Sequence, residues 1–171
     1  MIRVAVLTIS DTRTAGVQKD VSGPALCARV ASLGWSVTTQ GIVADEADQI
    51  ASWIKERADS GSVDLVLSTG GTGVALRDVT PEAVRTIIDR EVPGIGELMR
   101  SEGRQFTPLS YLSRGMGGTR GKVLIAALPG SPKGAVQSLD AFAHLVPHLV
   151  GLLQGRNVHP AGVESKRTDS E

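Results

Sequence analysis

A chain of 171 residues, 41% hydrophobic and 21% charged, is long enough to bury one globular core. Its 18 basic and 18 acidic residues balance, so it lacks the net positive charge that gathers nucleic acid or an anionic membrane. The single cysteine, Cys27, excludes an internal disulfide framework, and 3% aromatic residues are too few for a base-stacking platform. Any anionic ligand must therefore be held by local geometry.

Four runs rich in apolar and β-branched residues predict β-strands at residues 3–9, 36–43, 63–67 and 122–128. The first, third and fourth runs are almost continuously apolar, which is typical of strands covered on both faces. The first run leads directly into polar residues without a cleavage-like site, so it fits a strand better than a signal peptide. No apolar run reaches the ~18–20 residues that span a bilayer. We therefore expect a cytoplasmic protein.

Helical patterns separate the predicted strands. The predicted helices are residues 23–33, residues 45–58, a helix that begins at Pro81, a short helix at residues 95–102 and a last helix from Pro132 to Leu153. Ser22 and Thr80 are the predicted N-terminal caps of the first and third of these helices. Pro147 lies inside the last helix and predicts a kink, because proline removes a backbone hydrogen bond. Residues 109–112 fit either a strand or a helical turn.

Alternation of strands and helices predicts a three-layer α/β domain, with a mostly parallel sheet and helices on both faces. One domain over residues 1–155 accounts for all these elements. Residues 156–171 contain too few apolar side chains to pack, so we expect a disordered tail. In such sheets, ligands bind beyond the carboxyl ends of the strands, and candidate chemistry is sought there.

A glycine-rich segment directly after the third strand gives the strongest local signal. It consists of Thr69, Gly70, Gly71, Thr72 and Gly73. Glycines let the backbone approach a ligand closely, and converging N–H groups can then hold phosphate. The alternative is a mobile surface turn. The segment matches neither the P-loop nor the dinucleotide-binding glycine pattern.

Asp78 follows this loop and lies two residues before the predicted helix cap at Thr80. A carboxylate there suits Mg²⁺, which takes one or two protein carboxylates and leaves other positions to substrate phosphates. The alternative is that Asp78 pairs with Arg77 or interacts with the positive end of the helix.

A second glycine-bearing loop follows the fourth strand and opens the last helix. It consists of Pro129, Gly130, Ser131, Pro132 and Lys133. Ser131 can donate to a phosphate or cap the helix, and Lys133 can place a positive charge nearby. Because both loops follow buried strands, we expect them to lie side by side.

Further polar candidates follow the first two strands. Ser10 and Asp11 end the first strand, and Asp45 opens the second predicted helix. Each carboxylate alone is typical of a helix cap or a solvated residue. His144 and His148 are four residues apart on one predicted helix, but no third ligand accompanies them, which favours a structural role.

These motifs together resemble the molybdenum-cofactor biosynthesis proteins of the MogA/MoaB type, which include the G domain of the animal protein gephyrin. The matching segments are residues 10–11, 20–23, 45–46, 69–73, 77–83, 112–114, 120–122 and 128–133. The resemblance extends over roughly residues 3–155.

The resemblance implies a three-layer α/β domain that assembles as a homotrimer and transfers AMP from ATP to the terminal phosphate of molybdopterin. Mg²⁺ would be the cofactor, and a molybdenum-insertion protein would use the product. By resemblance, Asp78 and Asp45 are catalytic, and Asp78 is the better candidate for binding the metal. The two glycine loops would hold phosphates and nucleotide, while Ser10, Asp11, Ser113 and Arg114 would line the pocket. The alternatives are a non-catalytic trimer that binds molybdopterin and a generic nucleotide-binding regulator.

Overall fold

A six-stranded mixed β-sheet forms the centre of the molecule, in a computed structural model that describes residues 1–156. Its strands are β1 (Arg3–Ile9), β2 (Ser36–Val43), β3 (Leu65–Thr69), β4 (Arg90–Glu91), β5 (Met116–Arg120) and β6 (Val123–Leu128). They lie in the order β2-β1-β3-β6-β5-β4, and the first four in that order are parallel. The prediction of a mostly parallel sheet is confirmed.

Helices cover both faces of this sheet. They are α1 (Asp11–Thr14), α2 (Ser22–Ser32), α3 (Ala47–Asp59), α4 (Thr80–Arg85), α5 (Pro93–Gly103), a 3₁₀ helix (Pro108–Leu112), α6 (Pro132–Ala143) and α7 (Val146–Leu153). The three-layer architecture is therefore confirmed. Residues 109–112 adopt the helical turn rather than the strand.

Two hydrophobic cores hold the three layers together. The first packs α2, α5, α6 and α7 on one face of the sheet, around the fully buried Leu26 and Phe142. The second packs α3 and α4 on the other face, around Ile50 and Ile54. Along β1, alternate residues enter opposite cores, which explains why this strand is apolar throughout.

The sheet contains an antiparallel part that the apolar pattern did not predict. Strand β5 runs antiparallel to both β4 and β6. Two of its five residues are Gly117 and Gly118, where an added Cβ atom would lie within 2.7–2.8 Å of Ile95 and Ile88 respectively. Because the close packing of Ile95 and Ile88 requires glycine, this strand carries no run of apolar side chains for a sequence pattern to detect.

The prediction of one kinked helix from Pro132 to Leu153 is wrong. Helices α6 and α7 are separate and meet at 64°. Pro147 lies in the first turn of α7, where its missing N–H costs nothing, and its ring would clash with the carbonyl of Ala143, the last residue of α6, if the helix continued. Among residues 1–156, no single helix is long and apolar enough to cross a membrane; only α6 and α7 taken together have that length and composition.

The topology directs ligands to one edge of the sheet. Helix α2, after β1, covers one face, whereas α3, after β2, covers the other. Strand β2 lies on one side of β1 and strand β3 on the other, and the helices that connect them cover opposite faces of the sheet. A crevice therefore forms at the carboxyl ends of β1 and β3. Of the predicted tail, only Arg156 lies within the described residues, so its disorder stays a prediction.

Candidate active site

The first glycine loop requires its glycines for geometric reasons. Gly70 and Gly71 have φ angles of 115° and 64°, which disfavour residues with a side chain. A Cβ atom at Gly70 would lie 2.2 Å from the carbonyl oxygen of Ile9, and one at Gly71 would lie 2.4 Å from Oγ1 of Thr80. Thr80 in turn donates from its hydroxyl to the carbonyl oxygen of Gly70 at 2.8 Å. These contacts fix the backbone of the loop, which favours an ordered loop over the alternative of a mobile turn.

The second glycine loop is joined directly to the first, as predicted. Thr69 donates from Oγ1 to the carbonyl oxygen of Pro129 at 2.6 Å. A Cβ atom at Gly130 would lie 3.2 Å from the Cα atom of Gly70. Ser22, at the start of α2, donates to the carbonyl oxygen of Gly130 at 2.7 Å. The backbones of the two loops are therefore held at contact distance.

The polar residues of the second loop are placed for an anion. Ser131 caps α6 by accepting a hydrogen bond from the N–H of Gly134 at 3.1 Å, and its own O–H is still able to donate. Lys133 is exposed in the first turn of the same helix. The capping alternative for Ser131 is confirmed, and it is compatible with a ligand at this helix end.

Asp45 belongs to a charged cluster at one corner of the site. Asp11 and Asp45 each accept the backbone N–H of the other, at 3.0 and 2.9 Å. Arg77 donates to both carboxylate oxygens of Asp11 at 2.9 Å and to Glu46 at 2.8 Å. The alternative of an ion pair between Arg77 and Asp78 is therefore wrong.

The cluster separates the pKa values of its two aspartates. Burial raises the pKa of the Asp45 carboxyl, and the negative charges of Asp11 and Asp78 raise it further. The backbone N–H of Asp45 and the guanidinium of Arg77 lower the pKa of Asp11. Of these two aspartates, Asp45 is the one whose ionised form is disfavoured, so a nearby cation would stabilise Asp45 more than Asp11.

Asp78 is held by the backbone of its own loop. Its carboxylate accepts the N–H of Ala75 at 2.8 Å, and its N–H donates to the carbonyl oxygen of Ala75 at 2.9 Å. A Cβ atom at Gly73 would lie 2.7 Å from Oδ2 of Asp78, and one at Gly71 would lie 3.2 Å from Oδ1 of Asp45. The two carboxylates therefore flank the same glycine loop.

The donor set fits a metal that shares its ligands with substrate. Within residues 1–156, no three His, Cys, Asp or Glu side chains form a group that could hold a metal alone. Asp45 and Asp78 supply two carboxylates beside a loop of backbone N–H groups. This matches the demand of Mg²⁺, which uses one or two protein carboxylates and completes its shell with phosphate and water.

Two adjoining cavities open beside the glycine loops. A groove of about 370 Å³ is lined by residues of both loops, Asp78 and Ser113. A second cavity, of about 190 Å³, lies towards α5 and α6 and is lined in part by Ser113, Ser131 and Ser138. Leu109, Ser113 and Pro129 line both cavities, and the expected role of Ser113 in binding substrate stays a prediction.

Several residues lie in positions that differ from those expected from the sequence. Ser10 caps α1, accepting the N–H of Arg13 at 3.4 Å, and Arg114 lines neither cavity. The predicted caps Ser22 and Thr80 instead bind carbonyl groups of the glycine loops. Sequence reasoning missed Leu109 as a lining residue, because a single leucine in a short 3₁₀ helix carries no signal of its own.

Known proteins are similar to this chain over most of its length. A family model described as a probable molybdopterin binding domain matches residues 5–149. The chain belongs to this family. Members of the molybdopterin-binding family with curated names include the molybdopterin adenylyltransferase of Helicobacter pylori strain J99, which is 40% identical over 90% of this chain and 89% of its own. Molybdenum cofactor biosynthesis protein B of Halalkalibacterium halodurans is 43% identical over 86% of each chain.

A solved structure agrees with this family membership. The molybdopterin biosynthesis enzyme MoaB from Thermus thermophilus superposes with a TM-score of 0.86 at 45% identity, covering 91% of this chain and 98% of its own. The fold predicted from the resemblance is confirmed.

Proposed function

We propose that the protein is a molybdopterin adenylyltransferase, which transfers AMP from ATP to the terminal phosphate of molybdopterin and releases pyrophosphate. The observation that carries this proposal is the pair of joined glycine loops with Asp45 and Asp78 beside the first loop. The name of the Helicobacter pylori relative supports the same reaction.

The reaction needs positioning more than a protein nucleophile. An oxygen of the molybdopterin phosphate attacks the α-phosphorus of ATP, the bond from that phosphorus to the bridging oxygen breaks, and pyrophosphate leaves with the electron pair. Backbone N–H groups of residues 71–73 would hold phosphate oxygens, with Ser131 and Lys133 opposite them. Fixed donors of this kind stabilise developing charge without reorganising. The two cavities that meet at Ser113 give room for two substrates side by side.

The carboxylates would hold Mg²⁺. When bound, this ion neutralises phosphate charge and orients the leaving group. Asp78, fixed by the N–H of Ala75, is the residue we propose as its main ligand, and Asp45 would assist. Bringing a cation to Asp45 would also relieve the charge that burial disfavours there.

A second candidate is a protein that binds molybdopterin and passes it on without adenylylating it. The specific observation in its favour is the name of the Halalkalibacterium halodurans relative, molybdenum cofactor biosynthesis protein B, which states no transferase activity. The discriminating experiment is pyrophosphate release from ATP with and without added molybdopterin. Release that depends on molybdopterin and Mg²⁺ supports the transferase; molybdopterin binding without release supports the second candidate.

We also propose a homotrimer and a molybdenum-insertion protein that receives the product. Exposed apolar side chains such as Leu76, Phe106 and Leu109 support contacts beyond the domain itself. Sedimentation at micromolar protein concentration tests the trimer, and a monomer there would contradict it.

A further inference from the structure

Arg114 ties together the two ends of the loop that carries Asp78. Its Nε donates to the carbonyl oxygen of Gly73 at 2.7 Å, and its Nη2 donates to the carbonyl oxygen of Asp78. Its Nη1 contacts the carboxylate of Glu82 on α4. The backbone N–H of Arg114 also donates to the carbonyl oxygen of Thr72 at 2.7 Å. One residue therefore holds the beginning and the end of residues 73–78.

Apart from Arg114, this loop is tied to the rest of the domain by the ion pairs of Arg77 with Asp11 and Glu46, and such exposed pairs stabilise little. Val74 at its tip is 73% exposed and Leu76 is 100% exposed, so no apolar packing fixes them. A segment with few buried apolar contacts opens at low free energy unless polar bonds restrain it. The restraints within the loop are the bonds between Ala75 and Asp78, and Arg114 fixes that turn to the rest of the domain.

We propose that Arg114 is a positioning residue, which fixes the Asp78 carboxylate beside the first glycine loop and touches no substrate itself. The proposal rests on the proposed function for its catalytic consequence. It departs from the expectation that Arg114 lines the substrate pocket, because the guanidinium is directed at protein carbonyl groups and lines neither cavity.

The geometry requires arginine and not merely a positive charge. Three acceptors surround the guanidinium, and only a planar fork can donate to all three in fixed directions. Lysine keeps the charge but offers one ammonium nitrogen, which cannot reach Gly73, Asp78 and Glu82 together. A residue that contacted a substrate phosphate would behave differently, because lysine serves well as a point charge for phosphate.

Arg114→Lys and Arg114→Ala test the proposal, with Arg120→Lys as the matched control. Arg120 makes a similar fork, to Asp59 at 2.7 and 2.8 Å and to the carbonyl oxygen of Ile87 at 2.8 Å, at the opposite edge of the domain. We expect both Arg114 variants to lower kcat about 10- to 100-fold, since misplacing a catalytic group by about 1 Å has effects of that size. KM for ATP and for molybdopterin should stay within about threefold, and Arg120→Lys should match the wild type.

Amide hydrogen exchange gives a second readout that does not depend on activity. The N–H groups of Ala75 and Asp78 should exchange faster in both Arg114 variants and at the wild-type rate in Arg120→Lys. Arg114→Lys that keeps the wild-type kcat, or that raises KM for molybdopterin while kcat is unchanged, overturns the positioning role. Unchanged exchange at Ala75 and Asp78 overturns it as well. If the wild type releases no pyrophosphate, the proposed function fails, and the exchange measurement still decides whether Arg114 holds the loop.

Discussion

The two carboxylates beside the first glycine loop are held by different kinds of interaction. Asp45 lies in a charged cluster with Asp11, Arg77 and Glu46, whose side chains are 45–57% exposed. Asp78 makes its contacts with backbone groups, chiefly the N–H of Ala75. The cluster around Asp45 is thus ordered by ion pairs, which salt weakens, whereas Asp78 is ordered by backbone hydrogen bonds, which salt affects less.

Asp45 and Asp78 therefore suit different roles in the site. Backbone bonds hold the Asp78 carboxylate in one position, as a metal ligand requires. A carboxylate with a raised pKa changes its charge more readily and responds to a cation that enters the site. We therefore expect substitutions of the two residues to differ in the magnitude of their effects, and the effect of substituting Asp45 to depend on pH.

The largest effect is expected for Asp78→Asn. The amide oxygen can still accept the N–H of Ala75, so the loop keeps its shape and loses only the charge. We expect kcat for adenylyl transfer to fall by at least ~10²-fold, the scale for removing one electrostatic stabiliser. Asp140→Asn, an exposed residue paired with Arg29, is the control and should have no effect on kcat. Wild-type turnover by folded Asp78→Asn would show that this residue is an ordinary helix-end aspartate.

Gly71→Ala should destabilise the first glycine loop, which lies beside both Asp45 and Asp78. Its φ of 64° disfavours alanine by about 1–2 kcal/mol, and the clash with Oγ1 of Thr80 adds the loss of a buried hydrogen bond. We expect the free energy of unfolding to fall by about 2–4 kcal/mol in urea titrations. Gly61→Ala is the matched control, because Gly61 has a φ of 69° and no atom within 4 Å of an added Cβ. Equal losses for both variants would mean that the Thr80 contact is unimportant.

Asp45→Asn should have a smaller effect on turnover than Asp78→Asn and a distinctive effect on stability. A carboxyl whose pKa is raised on folding binds more protons in the folded state, so its ionised form opposes folding above that raised pKa. The variant should therefore be slightly more stable than the wild type at neutral pH, by less than about 1 kcal/mol because solvent screens this half-buried group. The difference should disappear as pH falls below the ordinary aspartate pKa. Melting curves at several pH values would reveal it, and a variant less stable at neutral pH would contradict it.

The smallest effect is expected for removal of residues 156–171. Their composition offers little apolar surface to offset the entropy cost of ordering. Truncation after Gly155 should leave both Tm and adenylyl transfer unchanged. A Tm lowered by several degrees would show that this segment packs on the domain.

Local patterns in the sequence were enough to predict four of the strands and both glycine loops of the site. Runs of apolar and β-branched residues located β1, β2, β3 and β6. In β1, β3 and β6 the run is almost continuously apolar, because strands buried on both faces must be apolar whatever surrounds them. Glycines directly after two of those strands located both loops of the site, since parallel strands end at one edge. The resemblance to a family, carried by short ordered motifs, supplied the reaction to test.

Tertiary structure alone decided the partners of the polar side chains. Ser22 and Thr80 were expected to cap their own helices, yet they bind Gly130 and Gly70, and Ser22 is 108 residues from its partner. Arg77 bonds to Asp11, 66 residues away, and not to the adjacent Asp78. A hydroxyl or guanidinium group can satisfy its hydrogen bonds with many partners, and which one it meets depends on how distant strands align. Sequence periodicity indicates which residues are buried, but it does not indicate which distant groups become hydrogen-bond partners.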